Sequence, residues 1–159
     1  MGFEIVSLRA RDIEQAHALI HKVIRNHPSY SPEARRFWES YYTPAVLRKH
    51  LHDTNWMFLV ARQDGKVVGF TDIMWFEGGV TRSDWTIVDP CYRGHGIGHA
   101  LMRAKLAVAR KRGCHKIIAD SIVGNTEGER LLKSSGFKKL ARLRDYWFHQ
   151  DYQLWEKQL

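Results

Sequence analysis

Val88-Asp89-Pro90-Cys91-Tyr92-Arg93-Gly94-His95-Gly96-Ile97-Gly98-His99-Ala100-Leu101-Met102 is the stretch on which the reading of the chain turns. The strand-forming run Trp85-Thr86-Ile87-Val88 leads into a proline stop at Pro90. Three glycines lie within Gly94–Gly98, and a helical pattern, Ala100-Leu101-Met102-Arg103-Ala104-Lys105-Leu106, follows. Glycine lets backbone N–H groups turn inward and lets a ligand approach without meeting a Cβ. The helix start behind the loop offers unpaired N–H donors and about half a positive charge. Strand, glycine loop and helix start together predict a phosphate cradle.

Upstream, Phe3-Glu4-Ile5-Val6-Ser7-Leu8 alternates as a first strand, and Asp12 is placed to cap a helix carrying Ile13, Ala16, Leu19, Ile20, Val23 and Ile24. Ser31-Pro32 and Thr43-Pro44 each put a capping side chain before a first-turn proline, which predicts two more helices. The aromatic cluster Phe37, Trp38, Tyr41 and Tyr42 reads as core or as the wall of an apolar substrate site. Met57–Arg62, the turn Asp64-Gly65, Lys66–Trp75, the turn Glu77-Gly78-Gly79 and then Arg82–Val88 read as three consecutive antiparallel strands.

Downstream, a helix from about Ile97 to Arg112 stops at Gly113, and Lys116–Ile122 reads as a strand parallel to the one before the loop. Asn125 caps a helix that ends at Gly136, and Phe137–Leu143 with Asp145–Trp155 reads as a final hairpin. The expected fold is therefore one α+β domain over residues 1–159. Its core is a mixed, mostly antiparallel twisted sheet of about seven strands flanked by helices.

The 25 Lys and Arg against 17 Asp and Glu give a net charge of +8. Its distribution is one-sided, because residues 93–144 hold 13 basic residues against Asp120, Glu127 and Glu129. A basic excess beside an anion loop suits a polyanionic ligand, and a solvated basic face is the plainer alternative. No run is long enough for a membrane span, residues 1–20 lack a signal-peptide layout, and Val6 stands where myristoylation expects Ser or Thr. Cys91 and Cys114 lack metal-ligand spacing, and a reduced, cytoplasmic protein is expected. His50-x-His52 and His95-x-x-x-His99 are the closest histidine groupings and read as solvent-facing, so no metal site is expected.

Three glycine-loop patterns compete. The dinucleotide fingerprint fails at His99, where a third glycine is required, and the Gly-Lys-Ser/Thr ending of a P-loop is absent. Arg93-Gly94-His95-Gly96-Ile97-Gly98 matches Arg/Gln-x-x-Gly-x-Gly/Ala at every fixed position, after a strand ending Val88-Asp89-Pro90. Here the chain resembles the GNAT superfamily of acyl-CoA-dependent N-acetyltransferases. Asn125, ten residues and then Gly136-Phe137 resemble that family's second signature, and the order of elements is similar over essentially the whole chain.

The resemblance implies acetyl-CoA as cosubstrate and a primary amine as acceptor, attacking the thioester directly. It implies that backbone N–H groups of Gly94, His95, Gly96, Ile97 and Gly98 bind the pyrophosphate, with Arg93 also among the cofactor-binding residues. Ile87 and Val88 would pair with the pantetheine arm, and the Val88 N–H would polarise the thioester carbonyl. Asn125 would contact the cofactor arm or the bulged strand beside it, and Arg130 and Lys133 would reach phosphates. The sheet would splay between the strands ending at Val88 and Ile122. No membrane partner is implied, nucleic acid is disfavoured, and a homodimer is compatible.

For the base, Asp120 stands on the face of Ile118 and Ile122 where alternation calls for an apolar residue. A strand-end Asp bonded to backbone or Lys is the structural alternative, and Asp84 and Glu77 are the next carboxylates. The family's usual acid is a tyrosine four residues before the Gly-Phe pair, and that position is Leu132. Tyr146 is the candidate to replace it or to contact the acceptor. Leu132 motivates a second reading, an acyl-CoA-binding module without turnover.

Overall fold

Residues 2–159 are described by the computed structural model. The chain runs β1 (Glu4–Ser7), α1 (Ile13–Arg25), α2 (Pro32–Tyr41), α3 (Pro44–His50), β2 (Trp56–Gln63) and β3 (Lys66–Trp75). It continues through β4 (Val80–Ser83), β5 (Thr86–Val88), α4 (Ile97–Lys111), β6 (Lys116–Ile122), α5 (Thr126–Ser134), β7 (Lys138–Leu143) and β8 (Tyr152–Gln158). The eight strands form one sheet in the order β1-β2-β3-β4-β6-β8-β7, with β5 paired to β3. Every pairing is antiparallel except β4 with β6, which the α4 crossover makes parallel.

The sheet buries both faces, and strand alternation divides the residues between them. Phe58, Val60, Phe70 and Ile87 turn toward the apolar stripe of α1, with Tyr42 and Leu47 completing that layer. Leu59, Ala61, Val68 and Ile73 turn the other way, under Ile97, Leu101 and Ala109 of α4. Met102 and Leu106 of α4 carry this second layer across Ile117, Ala119 and Trp155 to Leu132 and Phe137. Ser31 and Thr43 accept hydrogen bonds from the N–H groups of Ala34 and Val46, as proline-started helices require.

Three local expectations are corrected. Asp12 makes no capping bond; its buried carboxylate lies 3.7 Å from the Arg62 guanidinium instead. The strand expected over Arg82–Val88 is two strands, broken at Asp84-Trp85 by a bulge, which gives the eighth strand. The last strand starts at Tyr152 rather than Asp145, because residues 144–151 form a loop closed by a 3-10 turn at Trp147–His149. In each case a side chain or loop contact distant in sequence overrides the local pattern.

The glycine loop is positioned by a close approach farther back. A Cβ on Gly69 of β3 would lie 2.9 Å from Leu101, 3.0 Å from Ile97 and 3.1 Å from Ala61. The first turns of α4 therefore rest against β3 where a side chain is missing. Gly69→Val is expected to destabilise the fold by about 1–3 kcal/mol through overpacking. Urea unfolding measures it, and unchanged stability would mean that α4 is not seated there.

Candidate active site

The site begins at the bulge between β4 and β5. Asp72, fully buried on β3, accepts hydrogen bonds at one carboxylate oxygen from the N–H groups of Asp84 (3.1 Å) and Trp85 (2.9 Å). Its other oxygen accepts from the Tyr42 hydroxyl at 2.5 Å. One side chain thus satisfies two successive backbone donors that would otherwise lack a partner. Lys105, buried on α4, donates to Ser83 Oγ, to the Trp85 carbonyl (3.2 Å) and to Thr86 Oγ1 (3.0 Å). Burial pushes the Asp72 carboxyl up and the Lys105 ammonium down, and the opposite charge of each moderates the other's shift.

Beyond the bulge the two strands part. β4 stays paired with β6 as far as Ser83 and Ala119, whereas β5 pairs only with β3. The Asp89 N–H bonds the Val68 carbonyl. In the alternating pattern of an antiparallel ladder, this turns the N–H and C=O of Val88 away from β3 and into the gap. The Arg93 guanidinium donates to that Val88 carbonyl at 3.4 Å.

The gap opens into a cavity of about 520 Å3 that also reaches the glycine loop. Gly96 caps α4 in the left-handed region (φ +79°), and neither it nor Gly94 (φ +80°) has an atom within 4 Å of where a Cβ would stand. That is an open cradle at a helix N-terminus. Ile87, Val88, Arg93, Gly94, Gly96, Ile97, Gly98, Asp120 and Asn125 all border this cavity. Asn125 caps α5 by accepting from the Gly128 N–H at 3.1 Å. His95, Arg130, Lys133 and Tyr146 do not border it. The His95 ring folds back onto the Arg93 carbonyl (2.8 Å), and Arg130 and Lys133 line a separate hollow outside α5 with Glu129, Phe137, Lys139 and Trp155.

Three charged side chains meet at the opposite wall. Arg82 pairs with Asp84 at 2.6 Å and with Asp120 at 2.9 Å, and the Asp120 side chain is only 11% exposed. Burial pulls the Arg82 guanidinium down, but the two carboxylates more than offset it and hold it above its ordinary value. Burial lifts the Asp120 carboxyl to about 6; Arg82 lowers it, Asp84 raises it, and the Trp147 indole lowers it slightly. A carboxyl that titrates near neutrality at the wall of a cleft suits proton transfer. Asp84 borders the same cavity, while Glu77 sits in an exposed turn outside it.

The model of the acetyltransferase (GNAT) family matches residues 21–137. The chain belongs to the GNAT family. A glucosamine 6-phosphate N-acetyltransferase of Trypanosoma brucei brucei is 38% identical over 63 residues, covering 36% of this chain and 43% of that protein. An aminoglycoside N(6')-acetyltransferase type 1 of Stenotrophomonas maltophilia is 28% identical over 96 residues, 55% of this chain and 62% of the relative. The matches thus span less than two thirds of either relative's length. The PaiA N-acetyltransferase from Thermoplasma acidophilum, solved in complex with coenzyme A, superposes with a TM-score of 0.85 over 100% of both chains at 20% identity. At that identity the likeness concerns the fold.

Within the GNAT pattern this chain departs at Leu132, which is 7% exposed and borders the cavity beside Leu131 and Phe137. Tyr146 does not fill the place: it is 42% exposed and meets Trp147 and Tyr152 edge-on. Sequence reasoning missed Asp72, Arg82 and Lys105, because a charged residue inside a strand or helix pattern reads as a solvent-facing position. It missed Tyr30, Trp85 and Tyr152 as cavity walls for want of any motif. One signal was available: Asp72 and Lys105 both stand at positions where their neighbours are apolar.

Gly96→Val forces a β-branched residue into the left-handed region and puts a side chain into the cradle. It is expected to weaken coenzyme A affinity by about a hundredfold or more, on the order of 3 kcal/mol. Calorimetric titration reads it, and unchanged affinity would remove the loop from the binding site.

Proposed function

We propose that the protein transfers an acetyl group from acetyl-CoA to a primary amine by direct attack on the thioester. The observation that carries this is one cavity bounded on one side by the open glycine cradle and the outward Val88 amide, and on the other by Asp120. The pyrophosphate would lie on the amides from Gly94 to Gly98, with Arg93 beside it. The pantetheine arm would complete the unpaired edge of β5.

Asp120 would take one proton from the incoming ammonium, directly or through a water. The free amine then attacks the carbonyl carbon, forming the C–N bond, and the Val88 N–H donates to the oxygen as it gains charge. The C–S bond breaks as the carbonyl re-forms. The second amine proton leaves the nitrogen, and the thiolate is released as the thiol. Leu132 donates nothing, so this proton comes from the amine or from water rather than from a tyrosine. Loss of such an acid slows a reaction by about a hundred- to ten-thousandfold and leaves the remaining terms in place.

The relatives acetylate amines of several kinds by their names, which supports the reaction class. Leu132 favours the second reading, a module that binds an acyl-CoA without turnover. Incubation with acetyl-CoA and a panel of amines, following thiol release, separates the two. Amine-dependent release supports transfer, and tight binding without release above hydrolysis supports the module.

The pH dependence follows from Asp120. Activity is expected to fall as pH drops through about 6, where the carboxylate protonates. The stability effect has the opposite sense. A carboxyl at about 6 in the folded chain against 3.8 unfolded binds more protons when folded, so its contribution to stability declines as pH rises between those values. Asp120→Asn should therefore lower kcat at pH 7 by about a hundredfold or more. It should leave acetyl-CoA affinity unchanged and keep or raise the melting temperature at pH 8. Full activity in this variant would dismiss Asp120 as the base.

A further inference from the structure

The acceptor side of the cavity is built from two segments far apart in sequence. α2 supplies Trp38 and the loop 144–151 supplies Trp147 to the lining, with Phe37 and Phe148 packed beside them. Their rings interlock: Phe37 meets Phe148 at 5.0 Å, and Trp38 meets Trp147 at 6.5 Å, Phe148 at 6.1 Å and Trp85 at 5.3 Å between centroids. Phe37 and Trp147 remain 42% and 38% exposed, so the aromatic wall continues to the surface.

The loop reaches this shape under strain. Asp145, Phe148 and His149 all have positive φ, 48°, 54° and 54°, without being glycine. Such residues persist where surrounding contacts over-determine them, and they gather at functional sites. The contacts are present: Gln150 donates to the Ser29 carbonyl and accepts from the Ser31 N–H, and Asp151 accepts from the Asp145 N–H and pairs with Arg142.

The charges at the base of this wall do not balance. Asp72, Asp84 and Asp120 face Arg82 and Lys105, so one carboxylate more than the cations is present when all are ionised. The other acid on the cavity, Glu127, pairs with Arg93 at 2.8 Å beside the glycine loop. Tyr30, Trp38, Trp147 and Tyr152 are uncharged at neutral pH and present ring surface around Asp120. Such surface attracts a single cation and an apolar body, and the second carboxylate of this wall, Asp84, is already held by Arg82 at 2.6 Å.

Resting on the acetyl-transfer reading, we propose that the acceptor is a small primary amine with one positive charge on an aromatic or apolar body. Its ammonium lies against Asp120, and its body lies on the rings of Trp38 and Trp147. The amine supplies the missing cation of the cluster. This class differs from the aminoglycoside and sugar phosphate in the relatives' names, which need further carboxylates or a free cation beside the amine. Arg82, already spanned by two carboxylates, is not such a cation.

The test is steady-state acetylation of phenethylamine, tryptamine and hexylamine against spermidine, kanamycin, glucosamine 6-phosphate and a tetrapeptide with an apolar N-terminal residue. The monoamines are expected to lead in kcat/KM by about tenfold or more, the scale of one ring or cation–π contact. Trp147→Ala should raise KM for phenethylamine by about tenfold while the KM for acetyl-CoA stays within about twofold; Trp147→Phe should lie between. A thermal melt checks that both variants fold. A lead for the polyamine, the aminoglycoside, the sugar phosphate or the peptide overturns the substrate class and leaves acetyl transfer standing. So does an amine KM indifferent to Trp147. Absence of turnover with every amine, with coenzyme A binding intact by calorimetry, overturns the acetyl-transfer reading itself.

Discussion

The candidate site depends on one buried carboxylate. Two adjacent backbone N–H groups, those of Asp84 and Trp85, face β3 at a point where regular pairing would offer a carbonyl to only one of them. Asp72 takes both, and without it the bulge would leave a buried donor unsatisfied at a cost of about 1–3 kcal/mol. The bulge is what separates β5 from β6, and the separation is what makes room for a ligand. A buried anion needs its own compensation, which Tyr42 and Lys105 supply, the lysine through the shared Ser83 hydroxyl. Stability and function therefore meet in one network. The same residues close the core and open the gap.

Charge is sorted across this gap. The glycine loop and helix start present backbone donors and the Arg93 cation on one side, while the other side gathers carboxylates around Arg82. Under the proposed reaction, a polyanionic acyl donor and a cationic acceptor would be drawn to opposite ends of one cavity. Only their reactive ends would meet, beside the outward edge of β5. Sorting of this kind suppresses the reversed arrangement as well as favouring the right one.

How much of this was legible in the sequence differs by region. The order of strands and helices was readable because both sheet faces are covered, which forces period-two and period-3.6 apolar patterns on the chain. The cradle was readable because close backbone approach demands glycine, and Gly94 and Gly96 record that demand locally. Asp120 stood out as a polar residue breaking an alternation. The bulge was invisible, because Asp84-Trp85 has no local signature and is held by Asp72, a dozen residues earlier on another strand. The acceptor wall was hidden for the same reason: its two halves, α2 and the loop 144–151, meet only in three dimensions. Treating Asp145–Trp155 as strand concealed the loop altogether.

Besides the interlocked rings, the Gln150 amide bridges those two halves, bonding the carbonyl of Ser29 and the N–H of Ser31 just ahead of α2. Neither bond involves the sheet, the bulge or the glycine loop. The aromatic wall is thereby a clasped unit that rests on the bulge through Trp38 and Trp85. Divergence in this protein's lineage has a natural seam along that clasp. Exchanges at Trp147 and Phe148 can reshape the aromatic wall, whereas the 26–31 segment also carries His27 and Tyr30, which border the cavity itself and so tie this clasp to the rest of the site.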